Sequence, residues 1–152
     1  MASKHNQTGR SKRKLGDFVA LEHYLLDCPA WRTLPLAGRC IFITIARLYN
    51  GRNNGRLAMS ARTLAELLPI SRQTGSRMLK ELTRRGFIEA VRTGAFNVKS
   101  GEGRATEWRL TMLQCNVNGD RPSRAFMRWQ DGKFHLTASP RGPRRPHYRA
   151  TL

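Results

Sequence analysis

The chain has 152 residues, of which 39% are hydrophobic, and this is enough for one ordinary domain with a modest core. Its 28 Lys and Arg residues against 10 Asp and Glu residues give a formal net charge of +18, which points to a polyanion, above all nucleic acid, as partner. The sequence has no apolar stretch that could span a bilayer and no basic amphipathic helix with an aromatic face, so we expect no membrane association.

The cysteine pattern argues against a disulfide scaffold and against a zinc site. Cys28, Cys40 and Cys115 are odd in number, widely spaced and without the close pairs that zinc ligands form. We therefore expect three reduced thiols, with Cys40 in the core, no metal site and no cofactor. Because the N-terminus lacks the apolar stretch of a secretory signal, the expected location is the cytoplasm, in association with the nucleoid.

The positive charge is concentrated towards the two ends of the chain. Residues 1–16 carry five basic groups and no acid, and residues 121–152 carry eight basic groups and one acid. Both ends are poor in apolar residues, which is typical of disordered segments. We therefore expect a basic disordered tail over 1–16, a folded domain over 17–116 and a basic, partly disordered extension over 117–152.

The domain begins with two apolar segments. Residues 18–31 are broken by Pro29, and either a strand or a short helix remains open there. Pro35 suits the first turn of a helix, because its missing N–H is not needed at that position. We predict a largely buried helix over 35–49. The β-branched run 41–45 makes a strand the alternative, but the length of the segment favours the helix.

A turn, a short strand and a second helix follow. The Asn- and Gly-rich run 50–56 must turn, and residues 57–59 are a short strand candidate. Ser60 can cap the next helix by accepting a backbone N–H of its first turn. That helix is predicted over 61–68, because the ring of Pro69 prevents its continuation. Its buried side is expected to comprise Leu64, Leu67 and Leu68.

The segment 71–85 has the pattern of an amphipathic helix with a basic outer side. Ser71 is its N-cap, and Gly86 is a C-terminal capping glycine that follows Arg84 and Arg85, whose charges suit the negative end of the helix dipole. The inward stripe comprises Met78, Leu79 and Leu82. The outward side comprises Arg72, Gln73, Ser76, Arg77 and Lys80. Two helices joined by a tight turn, the second with a basic polar side, form a helix-turn-helix, and the second helix fits the DNA major groove.

Two strands separated by a glycine-rich loop complete the predicted domain. The first is expected over 87–91 and the second over 105–112, where Trp108, Leu110 and Met112 alternate with polar residues and are expected in the core. The loop between them carries Lys99 and Arg104. Next to a helix-turn-helix such a hairpin is a wing, which can lie against phosphates or enter the minor groove. The predicted fold is an α+β winged helix-turn-helix, with a three-helix core, a β-hairpin wing and basic flexible tails.

The run LAELLPISRQTGSRMLKELTRRGFIEAV is similar to the core of bacterial winged helix-turn-helix regulators of the GntR and MarR type. The stretch from YNGRNNGRLAMSARTLAELL through RRGFI to ATEWRLT also resembles the winged-helix domains of phage and plasmid replication proteins. The resemblance covers about residues 35–112. Gly75 stands where the GntR family usually has an inward apolar residue; it costs the helix about 1 kcal/mol relative to alanine, and it could let the helix approach its neighbour or the DNA closely.

The resemblance implies three groups of DNA contacts. The second helix is expected to read the major groove through Ser71, Arg72, Gln73, Thr74, Ser76, Arg77 and Lys80. The wing is expected to hold phosphates through Asn97, Lys99 and Arg104, and the start of the first helix to contact the backbone through Ser60 and Arg62. This predicts a sequence-specific protein for double-stranded DNA, first of all a transcriptional regulator of a bacterium, phage or mobile element. The alternatives are a plasmid or phage replication-initiation or partition accessory factor, and an RNA- or ribosome-associated basic protein.

Three further expectations concern catalysis, ligands and the C-terminal aromatic residues. The sequence contains no phosphate-binding loop, zinc spacing or nucleophile elbow, so we expect no enzyme. No effector-binding domain follows the wing, so we expect no small-molecule effector, while a homodimer stays open. The segment with Phe126, Met127, Trp129 and Phe134 is too apolar for a free tail. It is expected to dock on the domain, to form a dimer contact or to meet nucleic acid.

Overall fold

The structure is a computed structural model, and it describes residues 18–97 and 102–130. The helices within these ranges are α1 His23–Asp27, α2 Pro29–Arg32, α3 Leu36–Ala46, α4 Ala61–Leu67 and α5 Arg72–Arg84. The strands are β1 Leu57–Ala58, β2 Ile88–Arg92, β3 Ala95–Asn97, β4 Glu102–Arg104 and β5 Glu107–Leu110, and a 3₁₀ helix spans Ala125–Arg128. Helices α3, α4 and α5 together with the small antiparallel sheet and its hairpin form an α+β winged helix, as predicted.

The first apolar segment forms two short helices and no strand. Pro29 occupies the first position of α2, and the preceding Cys28 is extended, with φ −69° and ψ 148°, as the residue before a proline prefers. This break separates α1 from α2. Leu25, Ala30 and Trp31 are buried, so both helices pack on the core of the domain.

Helix α3 confirms the predicted helix over the strand alternative, although it ends at Ala46. Its core side is formed by Ile41, Phe42 and Ile45, each with no exposed surface. The expectation that Cys40 lies in the core is wrong, because this residue falls on the opposite, exposed side of the helix. The buried thiols are Cys28 and Cys115.

Helix α4 buries fewer leucines than predicted. Leu64 is fully buried and Leu68 packs partly against the core, but Leu67 is 59% exposed. The helix ends at Leu67, and Leu68 is already extended, with φ −125° and ψ 150°. The helical spacing that predicted burial of all three residues is therefore cut short at its last turn.

Strands β1, β5 and β2 form an antiparallel sheet in that order. The register places Trp108 opposite both Leu57 and Ala90. The Trp108 ring is nearly buried, and its Nε1–H donates to the carbonyl oxygen of Met59 at 2.9 Å. Trp108 is thus a core residue, as predicted. Strand β5 is shorter than the predicted strand over 105–112.

Asn54, in the predicted turn, is fully buried and joins that turn to the far end of β5. Its side-chain Oδ1 accepts the backbone N–H of Leu110 at 2.7 Å. Its Nδ2 lies 3.0 Å, 3.2 Å and 3.0 Å from the carbonyl oxygens of Leu110, Leu113 and Gln114. Its backbone N–H also donates to Oδ1 of Asn116 at 2.9 Å. One amide therefore holds together two segments that are distant in sequence.

Part of the segment that the sequence assigns to the C-terminal extension packs against the domain. Phe126 is 1% exposed, and its ring stacks on Phe87 with centroids 5.0 Å apart and an interplanar angle of 11°. Gly86 lies directly beneath, since a Cβ added there would lie 2.7 Å from Cβ of Ala125. Docking on the domain, one of the three expectations for the aromatic segment, is therefore present at Phe126, while Phe134 lies outside the described residues.

Candidate nucleic-acid interface

Helices α4 and α5 form the helix-turn-helix and cross at Gly75. A Cβ added to Gly75 would lie 3.2 Å from the carbonyl oxygen of Ala61 and 3.5 Å from Cβ of Leu64. A larger residue would push the two helices apart. The close approach to a neighbouring helix that Gly75 was expected to allow is therefore present, and it fixes how α5 sits on α4.

Both helices begin with the same capping arrangement. Oγ of Ser60 accepts the backbone N–H of Thr63 at 3.1 Å, and Oγ of Ser71 accepts that of Thr74 at 3.0 Å. In each pair the two hydroxyl oxygens also lie within hydrogen-bond distance, at 2.9 Å and 3.0 Å. The two predicted N-caps are confirmed. Each serine oxygen is thereby used within the protein, where it fixes the start of its helix.

Helix α5 is anchored along its inward side and at its C-terminal end. Met78, Leu79 and Leu82 are buried, as predicted. At the end of the helix, Gly86 adopts φ +80°, a left-handed conformation that favours glycine. The backbone N–H of Phe87 donates to the carbonyl oxygen of Leu82 at 2.9 Å, and that of Gly86 to Thr83 at 3.0 Å. This is the Schellman arrangement, and it confirms the predicted glycine cap.

The outward side of α5 presents cations and an amide to solvent. Arg72, Gln73, Arg77 and Lys80 are exposed, and Thr74 and Ser76 are half-buried. At about 100° per residue, positions 72 to 80 of this set fall within an arc of about 140°. The first turn of α5 contains no acidic residue. Within the described ranges none of these three cations forms a salt bridge, so their charge is available to a ligand.

Arg85 has a different role from the one predicted for it as a cation at the end of the helix dipole. The residue is 5% exposed, and its Nη1 donates to the carbonyl oxygen of Ala30 at 2.7 Å and to Oγ1 of Thr33 at 2.6 Å. Its Nε donates to Glu81 at 2.7 Å, and the ring of Trp129 covers the guanidinium with its centroid 4.2 Å away. Arg85 therefore ties α5 to α2 and is not available to DNA.

Glu81 makes this anchor dependent on pH. The hydrogen bond from Arg84, with a further one from Arg85, lowers the pKa of Glu81 from 4.5 to about 2. Because the folded pKa lies below the unfolded one, the stabilisation is complete above about pH 4.5 and is lost as the pH falls towards 2. We expect Glu81→Gln to lower the free energy of unfolding by about 1–2 kcal/mol at pH 7 and by much less at pH 2.5, as measured by urea denaturation.

The matched control for this prediction is Glu66→Gln. Glu66 pairs with Arg62 at 3.1 Å, but both side chains are exposed, at 62% and 75%, and exposed pairs of this kind contribute little. A Glu81→Gln variant with the same deficit at pH 2.5 as at pH 7 would show that the carboxylate does not provide the stabilisation.

The wing is a two-stranded antiparallel hairpin of β3 and β4. Ala95 lies opposite Arg104, and Asn97 opposite Glu102. Arg104 is exposed, and its Nη2 makes a long contact of 3.4 Å to the carbonyl oxygen of Thr93. The predicted contact residue Lys99 lies outside the described residues, and Asn97 is described through its backbone alone.

Two more exposed arginines lie in the elements that flank α5. Arg62 projects from the first turn of α4, where sequence analysis expected a backbone contact. Arg92, at the end of β2 where the chain enters the wing, was missed. It stands opposite Glu107 in the sheet register. The signal was present, since a cation follows directly after the predicted strand, but that strand was ended one residue too early.

The described part of the chain shows neither a metal site nor a membrane span. No group of three His, Cys, Asp or Glu side chains in the described ranges could bind a metal ion. No helix there has the length and apolar character needed to cross a bilayer.

Comparison with known proteins gives one match. The model of a family described as "Crp-like helix-turn-helix domain" matches residues 23–102, which contain α1 to α5, β1 to β3 and the beginning of β4. This match supports the broad resemblance to winged helix-turn-helix proteins, while the narrower resemblance to GntR- and MarR-type regulators stays an expectation. No curated protein and no solved structure matches the chain.

Proposed function

The chain belongs to the Crp-like helix-turn-helix domain family, and from this premise we propose that it is a sequence-specific binder of duplex DNA that regulates transcription. The family assignment supports DNA binding. The observation that carries the finer proposal is the outward side of α5, where Arg72, Gln73, Arg77 and Lys80 are exposed on a helix that is anchored at both ends.

These side chains suit direct reading of bases in the major groove. An arginine can donate two parallel hydrogen bonds to O6 and N7 of guanine, and a glutamine can pair with N6 and N7 of adenine. We assign base reading to Arg72, Gln73 and Arg77, with Ser71, Thr74, Ser76 and Lys80 in supporting contacts. Rigid anchoring of α5 matters because a base contact requires its donor to be placed correctly before binding.

The elements around α5 are assigned to the phosphates. Arg62 at the start of α4, Arg104 in the wing and Arg92 at its base are exposed cations. Lys99, Asn97 and Ser60 belong to the same proposed group on sequence grounds. Contacts of this kind set the register of the protein on the duplex and contribute affinity by releasing counterions, without reading sequence. The basic residues of 1–16 and 131–152 are proposed to add to this term.

An RNA-associated protein is the alternative of a different class, and the shape of the site disfavours it. The major groove of an A-form duplex is too deep and narrow for side chains of an inserted helix to reach the bases. A helix with its base-reading groups on one side therefore suits B-form DNA. A replication or partition factor would use the same geometry at an origin, and the genomic position of the bound sites separates it from a regulator.

Competition between nucleic acids tests the proposed class of ligand. A labelled pool of random duplex DNA, bound by the full chain at physiological salt, is challenged with unlabelled duplex DNA or with structured RNA at equal phosphate concentration. We expect duplex DNA to displace the probe at a concentration at least about tenfold lower than structured RNA, because only the DNA groove admits α5. Equal displacement by the two competitors would contradict the proposal.

A further inference from the structure

Helix α3 carries an apolar stripe on the side that faces away from the core. Leu36 is 76% exposed, Ile43 is 39% exposed, and the thiol-bearing Cys40 between them is exposed as well. Their spacing of four and three residues places them in one line along the helix. A row of exposed apolar residues on one helix differs from single exposed leucines and is typical of an interaction surface.

The stripe is also free of charge, although the chain carries a net charge of +18. The only charged residue of α3 is Arg39, and its guanidinium is held against the domain. Its Nε donates to the carbonyl oxygen of Leu34 at 3.1 Å, and its Nη2 to that of Arg32 at 2.8 Å. A nucleic acid or an anionic membrane would need cations on this surface. The occupant is therefore an uncharged apolar surface.

We propose that this occupant is a second copy of the chain, with the two α3 helices packed antiparallel about a two-fold axis near Cys40. The stripe is nearly symmetric about Cys40, since Leu36 lies four residues before it and Ile43 three residues after it. In an antiparallel pair, Leu36 of one copy therefore falls beside Ile43 of the other, and the same contact repeats across the axis. Cys40 is small, so the two helix axes can approach to about 8–10 Å.

Charge explains why two such basic chains can meet at this surface. Copies that approach through α5 or the wing would bring cations face to face. Along the α3 stripe the first cation is Arg47, which lies seven residues from Cys40 and hence about 10 Å from the axis. At that distance its side chain is at the rim of the contact and stays hydrated.

The contact is small, and this sets the expected strength of the dimer. One helix of 11 residues per copy buries less than the roughly 1,200 Å² of a stable interface, so we expect a dimer that dissociates at micromolar concentrations. The dimer does not depend on the proposed function, and all its tests are made without nucleic acid. Failure of one proposal therefore leaves the other standing.

Cys40 provides a selective chemical probe of the axis. It is the exposed thiol of the described residues, whereas Cys28 and Cys115 are buried. A short bismaleimide adds one thiol across each of its two double bonds and needs no oxidant. We expect it to produce a covalent dimer of the full chain at micromolar concentration, and we expect Cys40→Ser to abolish this product.

Sedimentation velocity over a concentration series gives the second measurement. We expect Leu36→Glu and Ile43→Glu each to weaken the dimer at least tenfold, because either change places like charges across the axis. The matched control is Leu67→Glu, at a leucine 59% exposed on α4, and it should dimerise as the native chain does. Circular dichroism melts verify that the variants fold. A native chain that is monomeric throughout the series, or a dimer that survives both substitutions on α3, overturns the proposal.

Discussion

Replacing Asn54 with alanine should lower the free energy of unfolding by about 3–5 kcal/mol. The side chain is fully buried, it accepts from the backbone N–H of Leu110, and its Nδ2 lies among three carbonyl oxygens. Alanine would leave these backbone groups buried without a partner, and each such group costs about 1–3 kcal/mol. Urea denaturation followed by circular dichroism measures the loss directly.

Two further variants separate this explanation from a general effect of losing an asparagine. Asn118 also precedes a glycine, but it is exposed, so Asn118→Ala should cost less than about 1 kcal/mol. Asn54→Asp keeps the acceptor oxygen but sets a carboxylate against carbonyl oxygens, which disfavours the ionised form. Its pKa is therefore raised, and this variant should gain stability relative to the native chain as the pH is lowered. Equal losses for Asn54→Ala and Asn118→Ala would show that the buried network contributes nothing special.

Local features of the sequence were sufficient to predict the helix-turn-helix. The caps at Ser60 and Ser71 and the glycine cap at Gly86 depend on residues within the same turn. The inward stripe of α5 follows from helical spacing alone, and the structure confirms it. Such patterns are readable because the interactions that produce them are close in sequence.

The errors occur where the partner of a residue is distant in the chain. Asn54 was assigned to a turn, and its bonds to residues 110–116 have no signal in the local pattern. Arg85 was predicted to face solvent, but its guanidinium reaches Ala30, 55 residues away. Cys40 was placed in the core because the whole segment is apolar, yet a helix with one buried side must expose the other.

The candidate site was predictable in its centre and less so at its edge. The exposed positions of α5 follow from the same spacing that places its core residues. Arg92 was missed because strand ends are the least reliable boundaries in a sequence-based assignment. Pairing between β2 and β5 carries the strand one residue further, up to Arg92 opposite Glu107.

Replacing Gln73 or Arg77 with alanine should reduce discrimination between DNA sequences by about 1–3 kcal/mol, or roughly 5- to 150-fold. Both side chains are exposed on α5, and within the described ranges neither is engaged by an ion pair or by a side-chain hydrogen bond. Alanine should therefore leave the fold intact while it removes donors to base edges. Arg32→Ala is the matched control, because it removes an exposed cation from α2, which packs at the opposite end of α5.

The most direct measurement of the central claim is the ratio of two dissociation constants for the same variant. One is for a duplex selected from a random pool by the native chain, and the other is for a scrambled duplex of equal length and composition. The account predicts that the native chain and Arg32→Ala prefer the selected duplex by the same large factor, and that Gln73→Ala and Arg77→Ala lose most of this preference while binding the scrambled duplex nearly as before. A native ratio near one, or equal losses on both duplexes in the α5 variants, would contradict it.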